Sequence, residues 1–284
     1  MTELADLHRL ARSGTAPSPQ DLAHRVRRRG ILLYVETWLI ASKTWAASLA
    51  IVGIVEPIAY LVALGWGLGT LVDDGGRSPG GVPYLMYVGP GLIVATAVMA
   101  AHQESTYPIM AGFKWRRLFH GPRATPLTPT QIGLGQIGGT LMRLLGQTSL
   151  FWLVLVAFGA TRSAWSVLIV PIAALAGLAF GACVTAYAAG LENEGHQFAS
   201  LQRFVVMPMF LFAGTFFPLS ELPGYLHWIG WLSPIWHGTE LARAASYGAH
   251  LAPSSVALHL SVLLAYAALG LVVSARRFER RLTR

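Results

Sequence analysis

Long apolar runs separated by short polar clusters set the plan of this chain. Residues 45–72, 84–104, 133–160, 165–191, 198–217 and 256–274 are each dominated by apolar side chains. A hydrocarbon core about 30 Å thick is crossed by about 20 helical residues. The pattern therefore predicts an all-α polytopic membrane fold with six spans. The fifth is the weakest, because its solid apolar stretch, 204–217, reaches span length only if 197–203 supplies its first turns. Glu56 and Pro57 interrupt the first. Ahead of it, Ile31, Val35, Trp38 and Leu39 recur at helical spacing while Glu36 and Lys43 fall elsewhere. Residues 31–44 accordingly read as an amphipathic helix lying in the membrane interface. A Gly, Pro and Asp turn fills 73–83. Between the last two spans, residues 219–250 alternate Pro223, Gly224, Gly230, Pro234 and Gly238 with Tyr225, Trp228, Trp231 and Trp236. Two short re-entrant helices in the outer leaflet, with tryptophans at headgroup level, fit that pattern.

A second signal lies between the second and third spans. Residues 111–129, AGFKWRRLFHGPRATPLTP, mix cations with aromatics. Lys114, Arg116, Arg117 and Arg123 place the segment on the cytoplasmic side, while Phe113, Trp115, Leu118 and Phe119 are too apolar to be left in water. Two readings stay open: an interfacial helix resting on lipid headgroups, or a docking helix for a cytosolic partner. In the second, Phe113, Trp115 and Phe119 fill a groove on the partner and Lys114, Arg116 and Arg117 form the rim. Pro122, Pro126 and Pro129 would stiffen the link into the third span, because proline fixes the backbone.

Composition and charge narrow the class. Of the 284 residues, 54% are hydrophobic and 12% charged, too little polar surface for a soluble domain of this size. The net charge of +8 does not indicate nucleic acid, since the cations gather at the ends of apolar runs and form no continuous face. With both termini cytoplasmic, seventeen of the 21 Lys and Arg fall on that side. Arg77, Arg162 and Arg243 fall opposite, and Arg143 lies inside the third span. Residues 1–30 are polar, with Pro17, Pro19, Arg25, Arg27, Arg28 and Arg29, and read as a disordered cytoplasmic tail without a signal peptide. The lone Cys183 reads as packing, with no disulfide within the chain.

Ionisable groups at membrane depth are costly and mark structure or function. Glu56 and Arg143 stand at comparable depth. They form an internal ion pair, or Glu56 caps a kink at Pro57, or both line a translocation path. Glu104, with His102 and Tyr107, ends the second span as interfacial anchor or gate. Phe210, Phe212, Phe216 and Phe217 crowd the fifth span, as packing or as path lining. His237 and Glu240 stand one turn apart with His227 and His250 nearby, but no third ligand is patterned, and no metal site is expected. Glu240 and Arg243, also one turn apart, are expected to pair. The chain has no G-x-x-x-x-G-K-[ST] loop, so it does not hydrolyse ATP itself, and no G-x-S-x-G or H-E-x-x-H signature points to an enzyme.

Four stretches, EPIAYLVALGWGLG (56–69), YVGPGLIVATAVMAAHQESTYPI (87–109), ATPLTPTQIGLGQ (124–136) and FLFAGTFFPLSELP (210–223), resemble in order and spacing the permease subunits of ABC-2 type exporters. The nodulation lipo-oligosaccharide and daunorubicin exporter branches are the most similar. The resemblance implies six helices per subunit in the plasma (inner) membrane, an amphipathic N-terminal helix, a coupling helix after span two and re-entrant helices before span six. It further implies a permease dimer, homo- or heteromeric, engaging two copies of a separate ATPase. ATP and Mg would sit on that partner, with no cofactor on this chain, and the cargo would be a drug, glycolipid or lipid-linked saccharide. The alternative is a stand-alone secondary transporter or channel, against which the absence of an evident internal repeat weighs.

Overall fold

A computed structural model describes residues 19–76, 78–193 and 196–283; most of the expected basic tail, Arg77 and Glu194 lie outside them. The described residues form helices and turns, with no strand among them. Among the described residues, five helical segments are long and apolar enough to cross a bilayer: Gly53–Asp74, Tyr84–Trp115, Pro129–Ala157, Ala164–Ala189 and Pro253–Thr283.

Helix α1 (Pro19–Ser42) begins inside the segment expected to be a disordered tail. The cause lies on a distant helix. Gln131 donates its side-chain amide to the carbonyls of Val26 and Arg27, holding the first turns of α1 against the start of α7 (Pro129–Ala157). Further along, Tyr34, Val35 and Trp38 lie over Gly135, Gly138 and Gly139 of α7, where any Cβ would approach within 3 Å of them. Val35 and Trp38 thus face protein, whereas Ile31 and Leu39 of the predicted apolar face are left exposed.

The first span joins α2 (Ala46–Leu61) to α3 (Gly69–Asp74) through a π-helical stretch, Val62–Leu68. Asp73 then accepts hydrogen bonds from the backbone N–H of Tyr84 and the hydroxyl of Ser78, anchoring the turn to the start of α4 (Tyr84–Ser105). Helix α4 is the centre of the bundle. Val88, Leu92, Ile93, Val94 and Val98 are fully buried, against α8 (Ile169–Ala189), α12 (Pro234–Tyr247) and α7. Lipid is as apolar as leucine, so such helices associate through close contact, and the alanines of this interface, Ala97, Ala101, Ala176 and Ala179, permit it.

Helix α7 starts four residues earlier than the expected third span. Thr128 and Gln131 form a capping box around Pro129, satisfying backbone donors that the helix start leaves free. The expected fifth span resolves into α9 (Gln197–Leu201), a π-helical turn Gln202–Val206 and α10 (Met207–Phe212), a run shorter than the five candidate spans. It stops at Ala213 because Gly214 takes a left-handed conformation, φ 79°, which glycine adopts without penalty. Phe216 and Phe217 therefore lie beyond it. The expected re-entrant stretch folds as α11 (His227–Leu232) and α12, with Ser233 capping the second helix. Helix α13 (Pro253–Thr283) closes the bundle and extends past the expected 256–274 span through the C-terminal arginines.

Candidate functional site

The loop after α4 leaves the bundle through α5 (Tyr107–Met110) and a π-helical turn, Ala111–Trp115. It reverses at Arg117, whose φ of 50° breaks the helix, and continues into α6 (His120–Arg123). Phe113 and Phe119, expected to fill a partner's groove, are turned inward and only 5% and 2% exposed. They stack with Phe278 of α13 in a three-ring cluster, centroids 4.8–5.1 Å apart. The sequence interval hid the third ring. Arg281 closes the cluster from above, and Phe119 donates its backbone N–H to the Gly112 carbonyl. The outward face is left to Trp115, 49% exposed, and Leu118, 57% exposed, flanked by exposed Lys114, Arg116 and Arg117.

The C-terminal helix grips the neighbouring helix as well. Arg277 donates to the Ala186 carbonyl, and Arg281 to Ala188 and Ala189, the last carbonyls of α8. The closing carbonyls of a helix fall outside its regular ladder, and cations suit that end of its dipole. Thr130 at the start of α7 donates to Glu279. One turn of α13 thus fastens α7, α8 and the loop together.

Arg143 was expected opposite Glu56. The structure instead pairs Arg143 with Glu104 of α4, both side chains partly buried. Glu104, near the end of α4, and Glu56, on α2, both stand on helices packed against α7, and Glu56 lies on the wall of a cavity that Arg143 also borders. Tyr107, grouped with Glu104 as a gate, is exposed and sets its ring edge-on to Phe198 at 5.1 Å. Tyr34 faces a second cavity at the loop end, and burial pushes its hydroxyl up to about 12, so it is a neutral donor.

At the opposite end, Arg243 is buried and donates to the carbonyls of Gly214 and Thr215, which the broken helix α10 leaves free. It also pairs with Glu240 as expected, at 3.0 Å, and covers the Tyr87 ring at 3.7 Å. Phe210 and Phe216 meet edge to face at 5.4 Å, and Phe212 and Phe217 are half-buried beside them. His237 turns away from Glu240. Its Nδ1 lies 2.7 Å from Nδ1 of His259, and its Nε2 lies 3.0 Å from the Trp231 carbonyl. Nε2 must donate to that carbonyl, so Nδ1 of neutral His237 accepts from His259. Burial lowers the pKa of His237. No cluster of three or more metal-ligating side chains occurs among the described residues.

Several apolar helices of spanning length, with a cationic loop gripped at one end of the bundle, define a membrane-embedded chain. The chain belongs to the ABC-2 type transporter family, whose sequence model matches residues 32–247. It is 31% identical over 261 residues to Nodulation protein J of Neorhizobium galegae, covering 89% of this chain and 95% of that protein. Nodulation protein J of Rhizobium leguminosarum bv. viciae is 30% identical over 263 residues, covering 90% and 97%. That of Sinorhizobium fredii is 29% identical over 255 residues, covering 88% and 94%. Members of this family are transport components and are not themselves catalysts.

Proposed function

We propose that this chain is the permease subunit of an ATP-driven exporter, moving a hydrophobic or amphipathic solute such as a drug, glycolipid or lipid-linked saccharide out of the cytoplasm. Two copies of a separate ABC ATPase, carrying ATP and Mg, drive it, and a second permease, identical or not, completes the pathway. The chain crosses the inner membrane six times, with residues 198–217 as the short fifth crossing and both termini cytoplasmic. The cation distribution supports that orientation, since seventeen of 21 Lys and Arg fall on one side.

The loop carries this reading. Trp115 and Leu118 offer apolar anchors with Lys114, Arg116 and Arg117 around them, on a turn whose underside is packed on α13. Aromatic anchors dominate interface energy and rim cations speed encounter, so a small rigid knob of this kind suits a groove on a soluble partner. Phe113 and Phe119 serve coupling from inside, by stiffening the knob.

The test is co-purification of the tagged chain from gently solubilised host membranes, with mass spectrometry for a Walker-motif ATPase. Wild type should capture it, and Trp115→Ala/Leu118→Ala, folded to the same degree, should not. Folded wild type that captures no such ATPase would overturn the proposal in favour of a stand-alone transporter.

A further inference from the structure

Three cavities share walls along one side of α8. The first, about 650 Å³, opens at the start of α9 and is lined by His196, Gln197, Ser200 and Tyr187 among others. Tyr187 also borders the second, about 220 Å³, which Arg277 lines as well. Cys183 borders both the second and the third, about 330 Å³, which reaches Tyr266 and Trp228. Phe204 and Val205 join the third back to the first. The three make one groove beside α8, between the short fifth crossing and α13. Helix α10 packs mainly on α11, which leaves this gap open.

Charge and depth select the occupant. Among the described residues no carboxylate lines any of the three cavities, and Arg277 brings a guanidinium to one end. That side chain lies across Gly190, where its Nη1 donates to the Ala186 and Tyr187 carbonyls at 2.8 and 3.4 Å. Its Nε and Nη2 make no hydrogen bond among the described residues. Gln197 and Ser200, both exposed, add donors at the mouth of the first cavity. Away from this end the walls turn apolar, with Phe180, Pro208, Met209 and Leu232, and the Tyr266 hydroxyl is already donated to the Leu232 carbonyl. Along α13 the distance from Arg277 to Tyr266 is about 16 Å at helical rise, close to one leaflet of a hydrocarbon core about 30 Å thick. A cationic mouth on an apolar slot one leaflet deep fits a phosphate that carries an acyl chain, and a free phosphate would leave the slot empty.

We propose that the groove holds one anionic phospholipid of the inner leaflet, its phosphate on Arg277 and an acyl chain running past Cys183 to Tyr266. The lipid is a resident of the fold, filling the gap between the fifth crossing and α13, and is not the cargo. This goes beyond the exporter reading and takes from it only the orientation that makes the Arg277 end cytoplasmic.

The experiment uses the purified chain in phosphatidylcholine nanodiscs, without ATPase. Two probes carry the same diazirine acyl chain, one on phosphatidylglycerol and one on phosphatidylcholine. After illumination, labelled peptides are mapped. Phosphatidylglycerol should label residues 183–187, 204–209 and 266–273 about fivefold more than phosphatidylcholine, the weight of one cation at a lipid surface. Arg277→Gln keeps a donor for the Ala186 carbonyl and should bring that ratio to about one. Ser200→Glu, at an exposed position, sets a carboxylate at the mouth and should also lower the ratio, so it carries the test if Arg277→Gln is unstable. Phosphatidylglycerol, more than phosphatidylcholine, should raise the thermal midpoint of the delipidated chain. Equal labelling or equal stabilisation by the two lipids would overturn the proposal. So would a ratio untouched by a folded Arg277→Gln, or by Ser200→Glu in its place. A labelled groove in a chain that captures no ATPase sinks only the exporter reading, and ATPase capture by a chain whose groove stays unlabelled sinks only this site.

Discussion

Arg281 lays its guanidinium over the ring of Phe113, 4.1 Å from the centroid, while the same group donates to the closing carbonyls of α8. The last turn of α13 is thereby joined to the loop that leaves α4. The loop, α8 and α13 are thus tied at one side chain. Replacing Arg281 with Lys keeps the charge but loses the planar stack and the fork. The expected cost is about 1 kcal/mol in thermal unfolding, with a larger loss in transport per ATP hydrolysed, measured in proteoliposomes.

Packing and docking should separate along the loop. Phe278→Ala removes the ring shared by Phe113 and Phe119, and such core truncations cost about 3–5 kcal/mol. Its thermal midpoint should fall sharply. Trp115→Ala alters an exposed side chain and should change stability by no more than about 0.5 kcal/mol while abolishing ATPase capture. Equal stability loss in both variants would contradict the division between inner and outer faces.

The Arg143–Glu104 pair lends itself to a double-mutant cycle. Glu104→Gln strands a partly buried cation and should cost about 2 kcal/mol, as should Arg143→Gln. The double variant should lose less than the sum, by about 1 kcal/mol or more, because each single change already breaks the pair. Glu56→Gln should show no such coupling to Arg143→Gln.

Stability should also depend on pH through His237. Its pKa is lowered by burial, so the folded chain holds it neutral at pH values where the unfolded chain binds a proton. Its contribution is complete above the ordinary histidine pKa of about 6.5 and is lost as pH falls below it. The midpoint of detergent-solubilised protein should hold steady from about pH 8 to 7 and decline toward about pH 5. His237→Gln should lower the midpoint overall and flatten that decline.

What the sequence disclosed was local. Helix α4 begins at Tyr84 and ends within a residue of its predicted boundary, because a long apolar run and a Pro-rich turn bracket it. Glu240 and Arg243 meet because they sit one helical turn apart. Partners chosen by tertiary packing were illegible. Arg143 finds Glu104 across 39 residues, and periodicity cannot rank that carboxylate above Glu56. The inward turn of Phe113 and Phe119 depends on Phe278, a residue with no marker of its own among the C-terminal arginines. The capping box at Thr128 and Gln131 marks a missed boundary that had a readable signal.

Two segments of similar hydropathy meet different surroundings: 83% of the apolar 18-residue stretch within Tyr84–Trp115 is buried inside the protein, against 17% for that within Gly53–Asp74. The first is selected for shape and the second for solubility in fat. Mutational tolerance should divide accordingly. At the exposed positions of Gly53–Asp74, such as Ile54, Val55 and Leu71, one bulky aliphatic can replace another at little cost, whereas in Tyr84–Trp115 a single methylene added at Ala97 or Ala101 has nowhere to go. Drift among relatives would therefore accumulate on the helix that lipid forgives.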